Sequence, residues 1–339
     1  MRTRPWTALA LILLLAAIPS LAKKKKKGAE DEITQTLPVL KDPPLAIVAQ
    51  TDRLIFRVAP LSAKGLLSQQ VREALKVLIR DNHGANIVKL RAFVAGTGDM
   101  RRVQTIVSEV FTDKKLNLPA LTTVQAGALP LEGAQVSIES MAEERRSVNP
   151  QGLAFFAAMP LDQIQSILKE SSIAGDRVLR ATCFVSSLEG QVQMRTASLA
   201  FPSAALNLVQ MQRLPLRVPD ACEVIAALDG PVGKPQPGVA FVTAPKLIIT
   251  GTQLAFHAQD SDIRLAFTRL RKTLESMNAS YKDVVAANIY PLADDIAVKV
   301  QTLQFEFLDR TARPAISMIP MESLPSLDAS FAVEVVAAQ

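Results

Sequence analysis

Pro119-Ala-Leu-Thr-Thr-Val-Gln-Ala-Gly-Ala-Leu-Pro130 has two counterparts later in the chain, Ala204-Ala-Leu-Asn-Leu-Val-Gln-Met-Gln-Arg-Leu-Pro215 and Pro314-Ala-Ile-Ser-Met-Ile-Pro-Met-Glu-Ser-Leu-Pro325. Each starts on a small pair, runs through an apolar stretch and closes on Leu-Pro, at 129–130, 214–215 and 324–325. A glutamate follows each closing proline after nine, eight and nine residues: Glu139, Glu223 and Glu334. A strand-like run precedes each segment: Ile87-Val-Lys-Leu-Arg-Ala-Phe-Val94, Val178-Leu-Arg-Ala-Thr-Cys-Phe-Val185 and Val284-Val-Ala-Ala-Asn-Ile-Tyr-Pro291. Another follows it: Val136-Ser-Ile-Glu-Ser-Met-Ala142, Cys222-Glu-Val-Ile-Ala226 and Phe331-Ala-Val-Glu-Val-Val-Ala337. An ordered set met three times is the signature of a tandem repeat.

Each copy opens on a β-rich stretch: Arg53–Val58, Leu153–Ala157 and Lys246–Thr250. In copy one Leu66, Leu67, Val71, Leu75, Val77 and Leu78 recur at near-helical spacing, which predicts an amphipathic helix. Asn82-His83-Gly84 reads as its stop, with Gly84 free to take positive φ and His83 at the helix C-terminus. The matching helices are expected at about 162–170 and 262–277, and a second helix of copy one at about 99–111. The pattern β…α-β-α-β-β implies a sheet with both helices on one face, so the other face needs a burial partner. The expected boundaries are 45–146, 147–230 (shortened) and 231–339.

Composition narrows the chemistry. Of 339 residues 49% are hydrophobic and only 5% aromatic, so the core must rest on Ala, Val, Leu and Ile. The two histidines and two cysteines would all be needed for one four-ligand zinc site, and their spacing fits none. No metal and no cofactor are expected. Cys183 and Cys222 read first as small buried thiols, with a disulfide as the alternative if their strands adjoin. His257 reads as an exposed loop residue. No Walker A, GxGxxG, HExxH or GxSxG pattern occurs.

The net charge of +6 resides at the N-terminus: without Arg2, Arg4 and Lys23–Lys27 the formal charge is −1. A nucleic-acid-binding face is therefore not expected. Arg2 and Arg4 precede the apolar run Ala8–Ile18, and Ser20 and Ala22 suit a signal-peptidase site. Residues 1–22 are thus expected to be a cleaved signal, cut after Ala22, that delivers a periplasmic or secreted protein. The alternative is an N-terminal membrane anchor, because five lysines directly after the apolar run oppose translocation. Lys23, Lys24, Lys25, Lys26 and Lys27 start a linker, 23–44, whose simplest reading is a solvated tether. The run also offers a weak contact to anionic membrane surfaces.

The strand Ile87–Val94, the Pro119-Ala-x-Thr-Thr-Val segment, the Leu129-Pro130 turn and the Ile138-Glu-Ser-Met-Ala142 strand together resemble the RidA family, also called YjgF or L-PSP. The resemblance implies an α+β class: three tandem chorismate-mutase-like β-α-β-α-β units in a single-chain pseudo-trimer around a central β-barrel. Ligand clefts would lie between neighbouring units. The chain would be a monomer with three pseudo-equivalent units and a small-molecule ligand as its partner.

Enzymatic members of that family hydrolyse enamines and imines to keto acids and ammonia. The resemblance implies an Arg that pairs with the substrate carboxylate, a role suited to a guanidinium fork. The matching positions here are Leu121, Leu206 and Ile316. The family Glu that activates water maps to Ser137, Ala221 and Ala332, and the position two after the Arg to Thr123, Leu208 and Met318. Thr250-Gly251 resembles the family's Ser-Gly segment, which makes the third copy's cleft the best pocket candidate. Glu139, Glu223 and Glu334 share strand parity with the lost Glu, and read as carboxylates at the sheet rim, paired or solvated. Two functions follow. The first is a RidA-like binding or structural protein without deaminase chemistry; the alternative is a divergent hydrolase acting on a neutral or apolar substrate.

Overall fold

The computed structural model describes residues 39–96, 98–188, 192–213, 219–231, 236–309 and 314–339. The expected signal, the lysine run, linker residues up to 38 and the Leu214-Pro215 turn lie outside them. The described chain is a mixed α+β structure with three sheets. The first is built from β2 (Leu54–Val58), β3 (Asn86–Ala95), β4 (Ala120–Ala126) and β5 (Val136–Glu143), in the order β2-β5-β3-β4. The second contains β6 (Leu153–Met159), β7 (Val178–Val185), β8 (Ala205–Gln210) and β9 (Ala221–Ala227), with β10 (Val239–Val242) on its edge, in the order β10-β6-β9-β7-β8. The third runs β1 (Ala46–Gln50), β11 (Lys246–Thr250), β15 (Ala329–Ala338), β13 (Val284–Pro291), β14 (Ala315–Met318), with β12 (Gln253–Phe256) also on β15. Setting aside the strands β1, β10 and β12, the three sheets share one strand order. Among the described residues they stay three separate sheets, and the expected closed barrel is not formed.

The internal registers coincide. The parallel pairs match Leu90 with Leu121, Ala181 with Leu206 and Ala287 with Ile316. The antiparallel pairs match Arg91 with Glu139, Thr182 with Glu223 and Asn288 with Glu334. A register slip recurs at the same place in each, between Ile87 and Lys89, Val178 and Arg180, and Val284 and Ala286. Such a bulge bends a strand and re-aims the side chains after it.

Two strands join sheets that are remote in sequence. β1 lies antiparallel to β11, with Ala46 opposite Thr250, so the start of the described chain is edge strand to the third sheet. β10 likewise lies on β6 of the second sheet. The segment leading into β6 docks on the first sheet, where Val148 and Asn149 donate main-chain N–H to the Asp52 carbonyl.

Helix α1 (Leu67–Asp81) buries Leu67, Val71, Ala74, Leu75 and Leu78 on the first sheet. The Gln69 side chain reaches back to the Leu66 N–H at 3.1 Å, which fixes its first turn. It ends at Asp81; Asn82 is the cap, and both His83 and Gly84 take positive φ beyond it. His83 therefore lies past the helix, in the left-handed turn that stops it. α2 (Met100–Asp113) is capped by Asp99, whose carboxylate accepts from the Arg101 N–H. α3 (Leu161–Glu170) and α4 (Val192–Ala200) belong with the second sheet, α5 (Asp260–Ser276) and α6 (Asp294–Leu303) with the third.

Cys183 and Cys222 face each other across β7 and β9 and form a disulfide, so the open alternative resolves toward a bond. The loop closed is 39 residues in separation. Reduction is expected to lower the unfolding free energy by about 2–4 kcal/mol through loop entropy. Urea titration with and without reductant measures this, and identical midpoints would contradict it.

Candidate functional site

Side chains alternate faces along a strand. In the first sheet Leu90, Ala92, Val94 and Ile138 meet the helices. The opposite face carries Lys89, Arg91, Phe93, Ser137, Glu139 and Met141. The corresponding faces of the other two sheets carry Arg180, Thr182 and Phe184, and Asn288 and Tyr290. These faces meet one another. Phe93, Val124, Phe184, Val209, Tyr290 and Ile319 form one apolar layer shared by all three sheets. Another shared apolar cluster includes Met141, Ile225 and Ile249. Between them lies a charged layer.

Arg91 is its hub. Its Nη2 sits 2.7 Å from Glu139 Oε2, 2.6 Å from Glu223 Oε1 and 2.9 Å from the Thr182 hydroxyl. Arg180 Nη2 donates to Glu223 Oε1 at 2.7 Å. Asn207 and Thr182 both donate to Glu139 Oε1, at 2.6 and 2.7 Å, and Ser137 donates to Asn207 Oδ1 at 2.8 Å. Asn288 donates to Glu223 Oε2 at 2.7 Å. Tyr290 donates its hydroxyl to Glu334 Oε1 at 2.8 Å. Lys89 pairs with Glu334 and donates to the Thr122 hydroxyl at 2.7 Å and the Thr250 carbonyl at 2.6 Å.

Glu139, Glu223 and Glu334 are only 2%, 3% and 7% exposed, so their expected place at a sheet rim is corrected. They are paired, as one branch of that reading held, but at the centre of the molecule. Three cations, Lys89, Arg91 and Arg180, balance them. Burial opposes ionisation of Glu139, but Arg91 and Arg180 outweigh it and hold the carboxyl below its ordinary value. For Glu334 burial is likewise outweighed, by Lys89 and then Arg91. Burial dominates at Lys89 and lowers its ammonium, with Glu334 opposing. Tyr290 is pushed far up by burial and by Glu334. A cavity of about 50 Å³ opens above this layer, walled by Met141, Phe155, Ile225 and Val336.

Lys89, Arg91 and Arg180 were absent from the expected site. Their signal was present: ionisable residues two apart inside the otherwise apolar Ile87–Val94, and one at the matching place in Val178–Val185.

The candidates Leu121, Thr123 and Gly251 come together elsewhere, in a cleft of about 160 Å³ between the first and third sheets. Leu121 and Thr123 have the parity opposite to Thr122, which faces Glu334. The cleft and the charged layer are thus on different faces of β4. Pro43, Pro44 and Leu45 form one wall, Leu254 and Pro325 another, and Gln104 of α2 stands at its edge. Thr252 donates its N–H and its hydroxyl to the Leu121 carbonyl at 3.3 Å, and Gly251 N–H to the Leu45 carbonyl at 2.8 Å. A Cβ on Gly251 would stand 3.1 Å from the Leu121 carbonyl oxygen, so the close approach of the two chains favours glycine.

The remaining candidates fall outside this cleft. Leu206 packs on the second sheet's core and Ile316 and Met318 on the third's, while Leu208 is buried. Ser137 joins the charged layer, Ala332 is wholly buried opposite Leu254, and Ala221 pairs with Phe184. Thr250 is buried, its hydroxyl bonded to Val335. His257 lies between β12 and α5 with φ of 66°. Among the described residues no cluster of His, Cys, Asp and Glu is arranged to hold a metal.

A family model for Endoribonuclease L-PSP matches residues 59–144. Over these residues the chain is similar to the L-PSP family. They span β5, β3, β4, α1 and α2, and include Leu121, Thr123, Ser137 and Glu139. Among solved structures the chain is similar to a member of the YjgF/YER057c/UK114 family from Mycobacterium tuberculosis, at 20% identity over 27% of this chain and 79% of that one, with a TM-score of 0.26. It is also similar to YyfA of the Rid family from Yersinia pestis, at 16% identity over 27% and 80%, with a TM-score of 0.26. A chorismatase aligns at 11% identity over 88% and 79%, with a TM-score of 0.43. No curated protein matches the chain.

Proposed function

We propose that this is an exported L-PSP-type chain whose three units, at 45–146, 147–230 and 231–339, form a single-chain pseudo-trimer without enamine or imine deaminase activity. Its role is binding or scaffolding at the clefts between units. The observation that carries the reading is the shared register of Leu121, Leu206 and Ile316, which puts an aliphatic residue at the equivalent place in all three sheets. A substrate carboxylate entering such a cleft would lose its water with no cation to replace it, which is costly. The nearby guanidinium groups, Arg91 and Arg180, are committed to Glu139 and Glu223 in the charged layer. The common strand order and the exchanged strands β1 and β10 support a pseudo-trimer that cannot be separated into independent thirds.

The test is ammonia release from 2-aminoacrylate generated in the assay. The purified chain is expected to match the uncatalysed rate. Turnover above that rate, abolished by heat denaturation, would overturn the proposal.

A further inference from the structure

Thr123 is 5% exposed, and its hydroxyl has no hydrogen-bond partner among the described residues although it lines the cleft between the first and third sheets. A buried hydroxyl without a partner carries a desolvation cost that a bound group would remove. The rest of the wall has two characters. Leu121, Leu254 and Pro325 are apolar; Gln104 and Thr252 are polar but neutral. No ionisable side chain is among the described residues that line it. Thr252 already spends its hydroxyl on the Leu121 carbonyl, and Gln104 donates to Asp42 at 3.3 Å. Thr123 is the lining residue whose buried hydroxyl is left without a partner.

The cleft has room for a body of about one ring. The volume of about 160 Å³ is close to that of an engineered apolar cavity of about 150 Å³ that takes up benzene. We propose that this cleft takes a small uncharged molecule with an apolar body about the size of one ring and a single hydrogen-bond acceptor, such as a carbonyl, seated on the Thr123 hydroxyl. The inference rests on the binding role proposed above and gives it a ligand class. It also fixes the orientation, with the acceptor inward on β4 and the apolar body between Leu121, Leu254 and Pro325.

The experiment titrates the full chain with three probes of equal heavy-atom count, acetophenone, benzoate and α-methylstyrene, read by saturation-transfer NMR and calorimetry. Acetophenone is expected to bind more tightly than α-methylstyrene by about 3- to 10-fold, the range for one neutral hydrogen bond. Benzoate is expected to bind at least tenfold more weakly than acetophenone, since nothing in the wall offsets its desolvation. Thr123→Val should remove the preference for acetophenone, and Thr123→Ser should keep it. Leu121→Arg should bring benzoate binding up. The inference is overturned if acetophenone does not bind, if α-methylstyrene equals it, or if benzoate equals or exceeds it. These comparisons are made on the unaltered chain, so a variant that fails to fold does not block them. The ammonia assay is independent: background ammonia without acetophenone binding sinks this inference alone, whereas ammonia release sinks the reading beneath it.

Discussion

Arg91→Met is expected to lower the unfolding free energy by about 3–5 kcal/mol, the cost of leaving a buried charge without its partner. The residue is 3% exposed and contacts two carboxylates at 2.6–2.7 Å, Glu139 from its own sheet and Glu223 from the second. Methionine fills part of the volume but neutralises neither. Glu139 would keep Arg180 at 3.7 Å, Asn207 and Thr182, and Glu223 would keep Arg180 and Asn288. One excess negative charge would still remain in the layer. Adding Glu139→Gln restores the balance, so the double variant should be more stable than Arg91→Met alone. Replacing both partners of a buried pair costs far less than removing one. Urea unfolding monitored by circular dichroism measures all three proteins. A loss under about 1 kcal/mol for Arg91→Met would place the residue among ordinary surface pairs and sink the argument.

How much of this was legible in the sequence depends on distance along the chain. The repeat placed Leu121, Leu206 and Ile316 at one register because each copy carries its own punctuation, the Leu-Pro turn and the glutamate beyond it. α1 was legible from the spacing of Leu67, Val71, Leu75 and Leu78, which is a local signal. The depth of Glu139 was not. Strand alternation says which residues share a face, but not what that face meets, and here it meets two other sheets. Arg91 reaches Glu139 across 48 positions of sequence, and Lys89 reaches Glu334 across 245. The pairing of β1 with β11 was hidden for the same reason, since Ala46–Gln50 reads as well as an edge for its own hairpin as for a remote sheet. The cleft stood in between. Leu121, Thr123 and Gly251 were each named, though as positions of different copies and not as one cleft, whereas Pro43–Leu45 and Gln104, which wall it, carry no residue type that marks a site.

Acidification is expected to destabilise the protein, and Lys89→Met is expected to weaken the contribution of one carboxylate. Glu139 and Glu334 are held below the ordinary value of 4.5 in the folded chain. A group depressed by folding contributes stability that is fully present above its unfolded value and is lost as pH falls through the folded one. Each of these carboxylates should therefore withdraw about 1.4 kcal/mol per pH unit over the window between 4.5 and its folded value. Below that window the buried Lys89 and Arg91 face neutral Glu139 and Glu334. In Lys89→Met, Glu334 loses its foremost counter-charge and retains Arg91, while burial, the largest influence on it, still favours the neutral acid. Its folded value should then rise, and the stability that its ionisation contributes should shrink. The variant is expected to be less stable than the wild type at neutral pH, with the gap narrowing as pH falls toward about 4. Glu139 keeps Arg91 and Arg180 in both proteins, so its share of the acid loss is common to the two. Urea midpoints taken across this range decide the matter: parallel profiles for the two proteins would mean that Lys89 does not set the charge state of Glu334.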